Sequence, residues 1–215
     1  YIQPAAGDAG CAIGAAQLAS ISLGDTVTPR QRLDTYLGPQ FDNTEIEHAL
    51  ELAKQPYEEL ADPSRKAAEL LARNDIIAWF QGRAEFGPRA LGNRSILAAP
   101  FPIDVKDRIN AKVKHREFFR PFAPAVLDDR FEEVFDGYRL SPFMLMAMTV
   151  KDAWKEKVPA IIHLDDSARV QTVLRDTNPQ FFALIHHFNE LTGVPVVLNT
   201  SFNDKGEPMV CSPAD

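Results

Sequence analysis

The sequence predicts an α/β fold, and three observations lead to that prediction. Short apolar segments with the character of strands alternate with stretches of helical periodicity along most of the chain. Segment 76–80, IIAWF, is a continuous apolar run of the kind that is buried on both faces of a sheet. A helix from Pro179 to Leu191 is clearly indicated, because Asn178 can cap its start and Gly193 fits the position after its end.

The other elements are predicted from similar signals. Thr44 and Glu47 have the spacing of a capping box before a short amphipathic helix, and Pro63 begins the next helix. Further strands are predicted at 96–99, 121–127, 141–150, 158–164, 169–173 and 194–198, and a helix with an acidic cap at 104–113. Within 141–150, three methionines alternate on one face, which is typical of core packing.

Composition restricts the class of protein. The chain has 215 residues, 45% of them hydrophobic and 25% charged, as in ordinary soluble proteins. Its net charge of −7 argues against a nucleic-acid or anionic-membrane binder. There is no apolar run of membrane-spanning length and no signal-peptide pattern, so we expect a cytoplasmic protein with no membrane partner. Cys11 and Cys211 fit neither a metal site nor a disulfide framework.

The stretch from Arg83 to Arg120 is basic within this acidic chain. It holds nine Lys and Arg against four Asp and Glu, a local balance of +5. These cations stand beside Gly, Pro and Phe, which favour fixed loops, and a fixed Arg presents a planar fork of donors that matches phosphate or carboxylate oxygens. The leading hypothesis is therefore a site for a phosphate-rich small molecule. The alternative is a surface turn with incidental arginines.

Two motifs supply the cations of this stretch. GRAEFGPRALGNRS, residues 82–95, sets Arg83, Arg89 and Arg94 among three glycines, so backbone N–H groups could join the guanidinium groups around phosphate oxygens. It is neither a Walker loop nor a Rossmann fingerprint. KVKHREFFRPFAP, residues 112–124, carries the second set of cations, Lys112, Lys114, Arg116 and Arg120. The Phe118–Phe119 pair beside them could stack a base or belong to the core.

Two further motifs follow predicted strands. His163 precedes Asp165 and Asp166 in HLDDSARV, so it is either a hydrogen-bonded structural histidine or a catalytic one, and Arg169 closes this segment. NTSFN carries Asn199, Ser201 and Asn203 just past a buried strand, where they can bind a phosphate or an acyl group. No Ser-His-Asp order supports covalent catalysis.

Candidate metal ligands are few. Asp8 stands at the start of a predicted helix, where it could cap the helix, bind a metal or face a nucleotide. His186 and His187 are adjacent on a helix and are expected to face different ways, which argues against a shared ion.

Together the segments GRAEFGPRALGNRSIL, VKHREFFRPFAP, HLDDSARVQTV and TGVPVVLNTSFNDKGEP resemble the C-terminal half of the O-carbamoyltransferase family of nodulation and antibiotic pathways, the NodU/CmcH type. The resemblance covers residues 76–213, about two thirds of the chain. It implies a YrdC-like twisted, mixed β-sheet flanked by helices, related to enzymes that make threonylcarbamoyl-adenylate. It implies an enzyme that forms carbamoyl-adenylate from carbamoyl phosphate and ATP with Mg²⁺, releasing phosphate and pyrophosphate.

The resemblance also implies a division of the chain. Residues 1–40 resemble the end of an actin/hsp70-like domain with its linker, and 41–215 the YrdC-like domain. In the family the first domain passes the carbamoyl group to a hydroxyl acceptor, a small molecule or oligosaccharide, and binds a metal, usually iron. Asp8 would be one ligand. The histidines that complete the site match sequence upstream of Tyr1, so we expect this fragment to need the missing N-terminal domain for transfer.

The resemblance implies roles for the other candidate residues. Lys114, Arg116, Arg169 and Ser201 are expected to be catalytic, and Arg83, Arg89, Arg94, Arg120, His163, Asn199 and Asn203 to bind carbamoyl phosphate or ATP. Asn203 stands where some relatives have Arg. A binding module without turnover is the alternative function. An RNA-binding domain is a further one, against which the acidic net charge counts.

Overall fold

The computed structural model describes residues 3–26, 35–137 and 139–215. The helices are α1 Asp8–Ser22, α2 Asn43–Leu52, α3 Pro63–Ala72, α4 Val105–Lys112, α5 Phe131–Val134, α6 Asp152–Lys155 and α7 Pro179–Thr192. The strands are β1 Ile77–Phe80, β2 Arg94–Ala98, β3 Ala123–Leu127, β4 Phe135–Asp136, β5 Met146–Val150, β6 Ser167–Val173 and β7 Val196–Ser201. Within these ranges, no helix combines the length and the apolarity that a membrane span requires.

The strands form one seven-stranded sheet in the order β1-β2-β7-β3-β6-β5-β4. β3 and β6 run parallel, whereas the other neighbouring pairs are antiparallel. The predicted α/β class with a mixed, helix-flanked sheet is confirmed. In the middle of the sheet Asn199 of β7 stands between Leu97 of β2 and Ala123 of β3, so this polar residue lies at the centre of the fold.

Helix α7 forms as the sequence predicts and packs against α3. The Asn178 side chain accepts a hydrogen bond from the Phe181 N–H, and Gly193 ends the helix in a left-handed conformation with φ of 72°. Phe181, Phe188 and Leu71 are completely buried between the helices and the sheet. Burying large apolar side chains of this kind stabilises the fold by roughly 1.5–3 kcal/mol each.

Several predicted elements differ in the structure. β1 is an edge strand with Ala78 exposed, so the expectation of burial on both faces was wrong. The predicted strand 141–150 begins only at Met146, because Met144 has φ of 53° and lies in a turn. The predicted strand 158–164 is instead a short 3₁₀ turn at Pro159–Ile161 followed by a loop.

Three predicted helix caps are also corrected. The capping box of α2 is formed by Asp42 and Glu45 rather than by Thr44 and Glu47. Asp104 precedes α4 but makes no capping hydrogen bond with its side chain. Asp8 is exposed at the start of α1 and makes no capping hydrogen bond either, so the interpretation of Asp8 as a cap was wrong.

Gly92 joins the first arginine motif to α7. Its φ is +101°, and an added Cβ would lie 2.2 Å from Cδ1 of Phe181. We expect Gly92→Ala to lower the free energy of unfolding by about 2 kcal/mol, because backbone strain and overpacking each cost energy. Gly193→Ala is the matched control, since Gly193 also has a positive φ but open space around it. If urea denaturation showed the same loss of unfolding free energy for both variants, the contact with Phe181 would not contribute to the effect of Gly92→Ala.

Candidate functional site

A pocket of about 400 Å³ lies where the four sequence motifs meet. Its polar lining consists of Arg89, Arg116, Arg120, His163, Arg169, Asn199, Thr200 and Ser201. Four guanidinium groups therefore face one cavity, and none of the described residues that line it is a carboxylate. This excess of fixed positive charge favours an anionic ligand.

A smaller pocket of about 240 Å³ adjoins the first and shares Arg116, Arg120 and Ser201 with it. Lys114 and Lys205 add cations to this second pocket, while Glu117 and Asp204 add carboxylates. The two shared arginines therefore lie between the pockets, where they could bind an anion long enough to extend from one pocket into the other.

Arg89 and Arg169 are two cations of the larger pocket that repel each other. The Nε atom of each is buried and has no hydrogen-bond partner among the described residues. Burial, and then the positive charge of Arg89, lower the pKa of the Arg169 guanidinium. A bound anion would satisfy both groups and remove their mutual repulsion.

Arg116 and Arg120 come from the second motif. The Arg116 Nε donates to Asn110 Oδ1 over 2.7 Å, and its guanidinium lies 4.6 Å from the Phe122 ring centre. Burial, and then Arg120, lower the pKa of Arg116. Arg120 is exposed and stands 3.9 Å from a Glu117 carboxylate oxygen. Both side chains line the two pockets, and their roles toward carbamoyl phosphate and ATP stay predictions.

The aromatic pair of that motif does not belong to the core. Phe118 and Phe119 are 72% and 67% exposed. The core alternative was therefore wrong, and base stacking stays a prediction.

Lys114 is a buried residue that lines the second pocket. Its ammonium group donates to the Ser201 carbonyl and hydroxyl and to both oxygens of Asn203. Burial lowers the pKa of Lys114 to about 8. Lys114 thus fixes the NTSFN loop and orients Ser201 through these contacts.

Arg94 and Arg83 lie outside the larger pocket. Arg94 is completely buried, donates to the Gln81 carbonyl over 2.7 Å and stacks 3.5 Å from the Phe80 ring centre. Arg83 is exposed and donates to the carbonyls of Leu37 and Gly38. Both guanidinium groups bond to backbone oxygens and hold the loop that carries Arg89.

Glu85 is a buried residue of the first motif that sequence reasoning missed. One carboxylate oxygen accepts hydrogen bonds from the backbone N–H groups of Leu91, Asn93 and Arg94, over 2.7, 2.8 and 3.2 Å. The sequence suggested that N–H groups of this loop surround phosphate oxygens, but these three already bind an internal carboxylate. The sequence signal that could have identified Glu85 is that it is an acidic residue in a motif whose other charged residues are arginines.

A buried amide network, also missed, supports the same loop. Gln81 donates to the Gly92 carbonyl and to Asn178 Oδ1, both over 2.8 Å. Asn178 in turn donates to Asn93 Oδ1 over 2.9 Å. Buried hydrogen bonds therefore support the loop that presents Arg89.

The metal candidates lie apart from this pocket. Asp8 belongs to no cluster of three metal-ligating side chains in the described parts of the chain. His186, His187 and Glu190 have ligand atoms within 4.8 Å of one another, so the two histidines do not face apart as expected. A 3.0 Å contact between His187 and Glu190 accounts for this arrangement as an ordinary acid–imidazole pair.

The fold and the pocket define an α/β domain suited to binding small anions. The family described as "Carbamoyltransferase C-terminus" matches residues 68–215, more than half of the chain. The chain belongs to this family, which confirms the resemblance.

Similar proteins extend well beyond this chain. "Nodulation protein NolO" of Bradyrhizobium diazoefficiens is 48% identical over all of the chain and 40% of its own length. "Nodulation protein U" of Rhizobium tropici is 38% identical over 96% of the chain and 34% of its own length. The crystal structure of T. kodakarensis HypF matches 73% of the chain and 19% of its own, with 22% identity and a TM-score of 0.49. The chain thus spans about two fifths or less of these relatives.

Proposed function

We propose that this chain is the adenylate-forming part of an O-carbamoyltransferase. It takes carbamoyl phosphate and ATP, forms carbamoyl-adenylate and releases phosphate and pyrophosphate. The balance consumes one water: hydrolysis of carbamoyl phosphate leaves carbamate, whose oxygen attacks the α-phosphorus of ATP and expels pyrophosphate. The observation that carries the proposal is the cavity whose lining, among the described residues, has four arginines and no carboxylate. Family membership supports the carbamoyl group as the one transferred.

The pocket residues divide between the two substrates. Arg89 and Arg169, whose Nε atoms have no partner in the described ranges, hold the phosphate of carbamoyl phosphate. Arg116 and Arg120 line both pockets and would hold the phosphates of ATP, which binds as its Mg²⁺ complex. Charge that develops on the leaving phosphate and pyrophosphate is stabilised by these fixed cations, the usual source of catalysis in phosphoryl chemistry.

The remaining predictions concern the whole protein. Another domain transfers the carbamoyl group to the hydroxyl of a small-molecule or oligosaccharide acceptor, in the cytoplasm. Residues 1–40 are the end of that domain, and Asp8 supplies one ligand to its iron or other divalent metal.

The test is pyrophosphate release by this chain supplied with ATP, Mg²⁺ and carbamoyl phosphate. We expect release that depends on carbamoyl phosphate, with ATP alone as the blank. ATP binding in calorimetry without pyrophosphate release would instead support the binding-module alternative. If the chain neither bound ATP nor released pyrophosphate, the proposal that the pockets bind a nucleotide would be wrong.

A further inference from the structure

The larger pocket offers many hydrogen-bond donors and few acceptors. Its four arginines only donate, so they can bind the phosphate of a ligand but not an amino group. A carbamoyl group carries such an amino group beside its carbonyl. If the proposed function holds, hydrogen-bond acceptors in the pocket lining therefore help to determine which acyl phosphate binds.

His163 is one acceptor, and its neighbours determine its tautomer. The Ser167 hydroxyl has a single proton and donates it to the Asp165 carboxylate over 2.7 Å. The Ser167 backbone N–H donates to the same carboxylate. These two hydrogen bonds lower the pKa of Asp165, which is therefore ionised. The same hydroxyl lies 3.3 Å from His163 Nδ1, so it must accept the Nδ1 proton. In the neutral ring Nε2 is then an unprotonated acceptor, and it has no partner among the described residues.

Asn199 is the second acceptor, and a chain of contacts determines its orientation. The Leu91 carbonyl only accepts, so the Gln171 amide nitrogen faces it over 2.8 Å and the Gln171 oxygen faces Asn199. Asn199 therefore directs its Nδ2 to that oxygen and to the Ala90 carbonyl, over 3.0 and 3.1 Å. Its Oδ1 has no partner within the described part of the chain, although Asn199 is 1% exposed and lines the pocket.

We infer that Asn199 and His163 form the acceptor side of the pocket and select ligands that carry an amino group beside the anion. On the proposed function, the carbamoyl amino group donates one proton to Asn199 Oδ1 and the other to His163 Nε2. Acetyl phosphate has nearly the same shape but a methyl group in this place, so it leaves both acceptors unpaired. Sites built to bind a polar hydrogen reject analogues that lack it more strongly than sites that distinguish by size.

The experiment compares carbamoyl phosphate, acetyl phosphate and inorganic phosphate by titration calorimetry at pH 7.5. We expect the wild-type chain to bind carbamoyl phosphate at least about tenfold more tightly than acetyl phosphate. His163→Ala is expected to lower this ratio about tenfold while phosphate binding persists. His48→Ala, which removes an exposed histidine, is the control and should keep the ratio.

The pH dependence provides a second readout that damage to the fold would not imitate. Burial, and also Arg169, lower the pKa of His163 from its usual 6.5, whereas Asp165 raises it. His163 is therefore neutral at pH 7.5, and its Nε2 becomes a donor only in more acidic solution. The affinity ratio should be constant above pH 6.5 and fall below it, and should not change with pH in His163→Ala.

Two results would overturn the inference: equal affinity of the wild type for the two acyl phosphates, or an unchanged ratio in His163→Ala. Failure of the proposed function has a different signature. In that case carbamoyl phosphate is preferred but no pyrophosphate is released, or none of the three anions binds.

Discussion

Arg89→Ala is expected to reduce carbamoyl-phosphate-dependent pyrophosphate release by about 10² to 10³-fold, on the order of 3–4 kcal/mol. Arg89 lines the larger pocket, and its Nε has no partner among the described residues, so its guanidinium is free to bind an anion. On the proposed function, removing it takes away a positive charge that would stabilise the leaving phosphate. The same variant should weaken binding of inorganic phosphate in calorimetry.

Lys112→Ala is the matched control for Arg89→Ala. Lys112 is an exposed cation of the same basic stretch and lines neither pocket, so we expect nearly wild-type release. Full activity of Arg89→Ala, with an unchanged unfolding midpoint for both variants, would show that the site lies elsewhere.

Arg89 and Arg169 are expected to act on one anion, and a double-mutant cycle tests this. Because Arg89 lowers the pKa of Arg169, their charges interact. The double variant should therefore lose less activity than the product of the two single losses. If the loss of activity in the double variant equalled the product of the two single losses, the two arginines would bind different groups.

Local signals were sufficient for most of the fold. Helix α7 was predicted nearly to the residue, because Asn178, Pro179 and Gly193 each determine a backbone conformation at its ends. The segments at 141–150 and 158–164 failed for a different reason. Their apolar residues face the core from turns, as Met144 does at φ of 53°, and alternation alone does not distinguish a buried turn from a strand.

The sequence indicated which motifs form the site but not what each cation does there. Arg83, Arg89 and Arg94 share one motif and one chemistry, yet only Arg89 lines the larger pocket. The position of the Arg94 side chain depends on a contact with Phe80 and on backbone carbonyls that come together only in the folded chain. A guanidinium that holds a loop and one that holds a ligand have the same local sequence signal.

Glu85→Ala is expected to lower the free energy of unfolding by on the order of 3–5 kcal/mol, because it leaves three buried N–H groups without an acceptor. Glu85 is 7% exposed, so water cannot readily replace the carboxylate. The measurement is urea denaturation, in which the midpoint should fall while the slope stays constant. Phosphate binding should also weaken, since the loop that Glu85 holds carries Arg89.

Glu85→Gln separates the hydrogen bonds from the charge. Its amide oxygen can still accept from the three N–H groups, so we expect a loss of only about 1 kcal/mol. Glu69→Ala, on an exposed face of α3 next to Arg65, should change stability by less than about 0.5 kcal/mol. If Glu85→Ala were as mild as Glu69→Ala, the amide network of Gln81, Asn93 and Asn178, together with the two loop-binding arginines, would hold the loop without the carboxylate. The carboxylate would then be incidental to the position of Arg89.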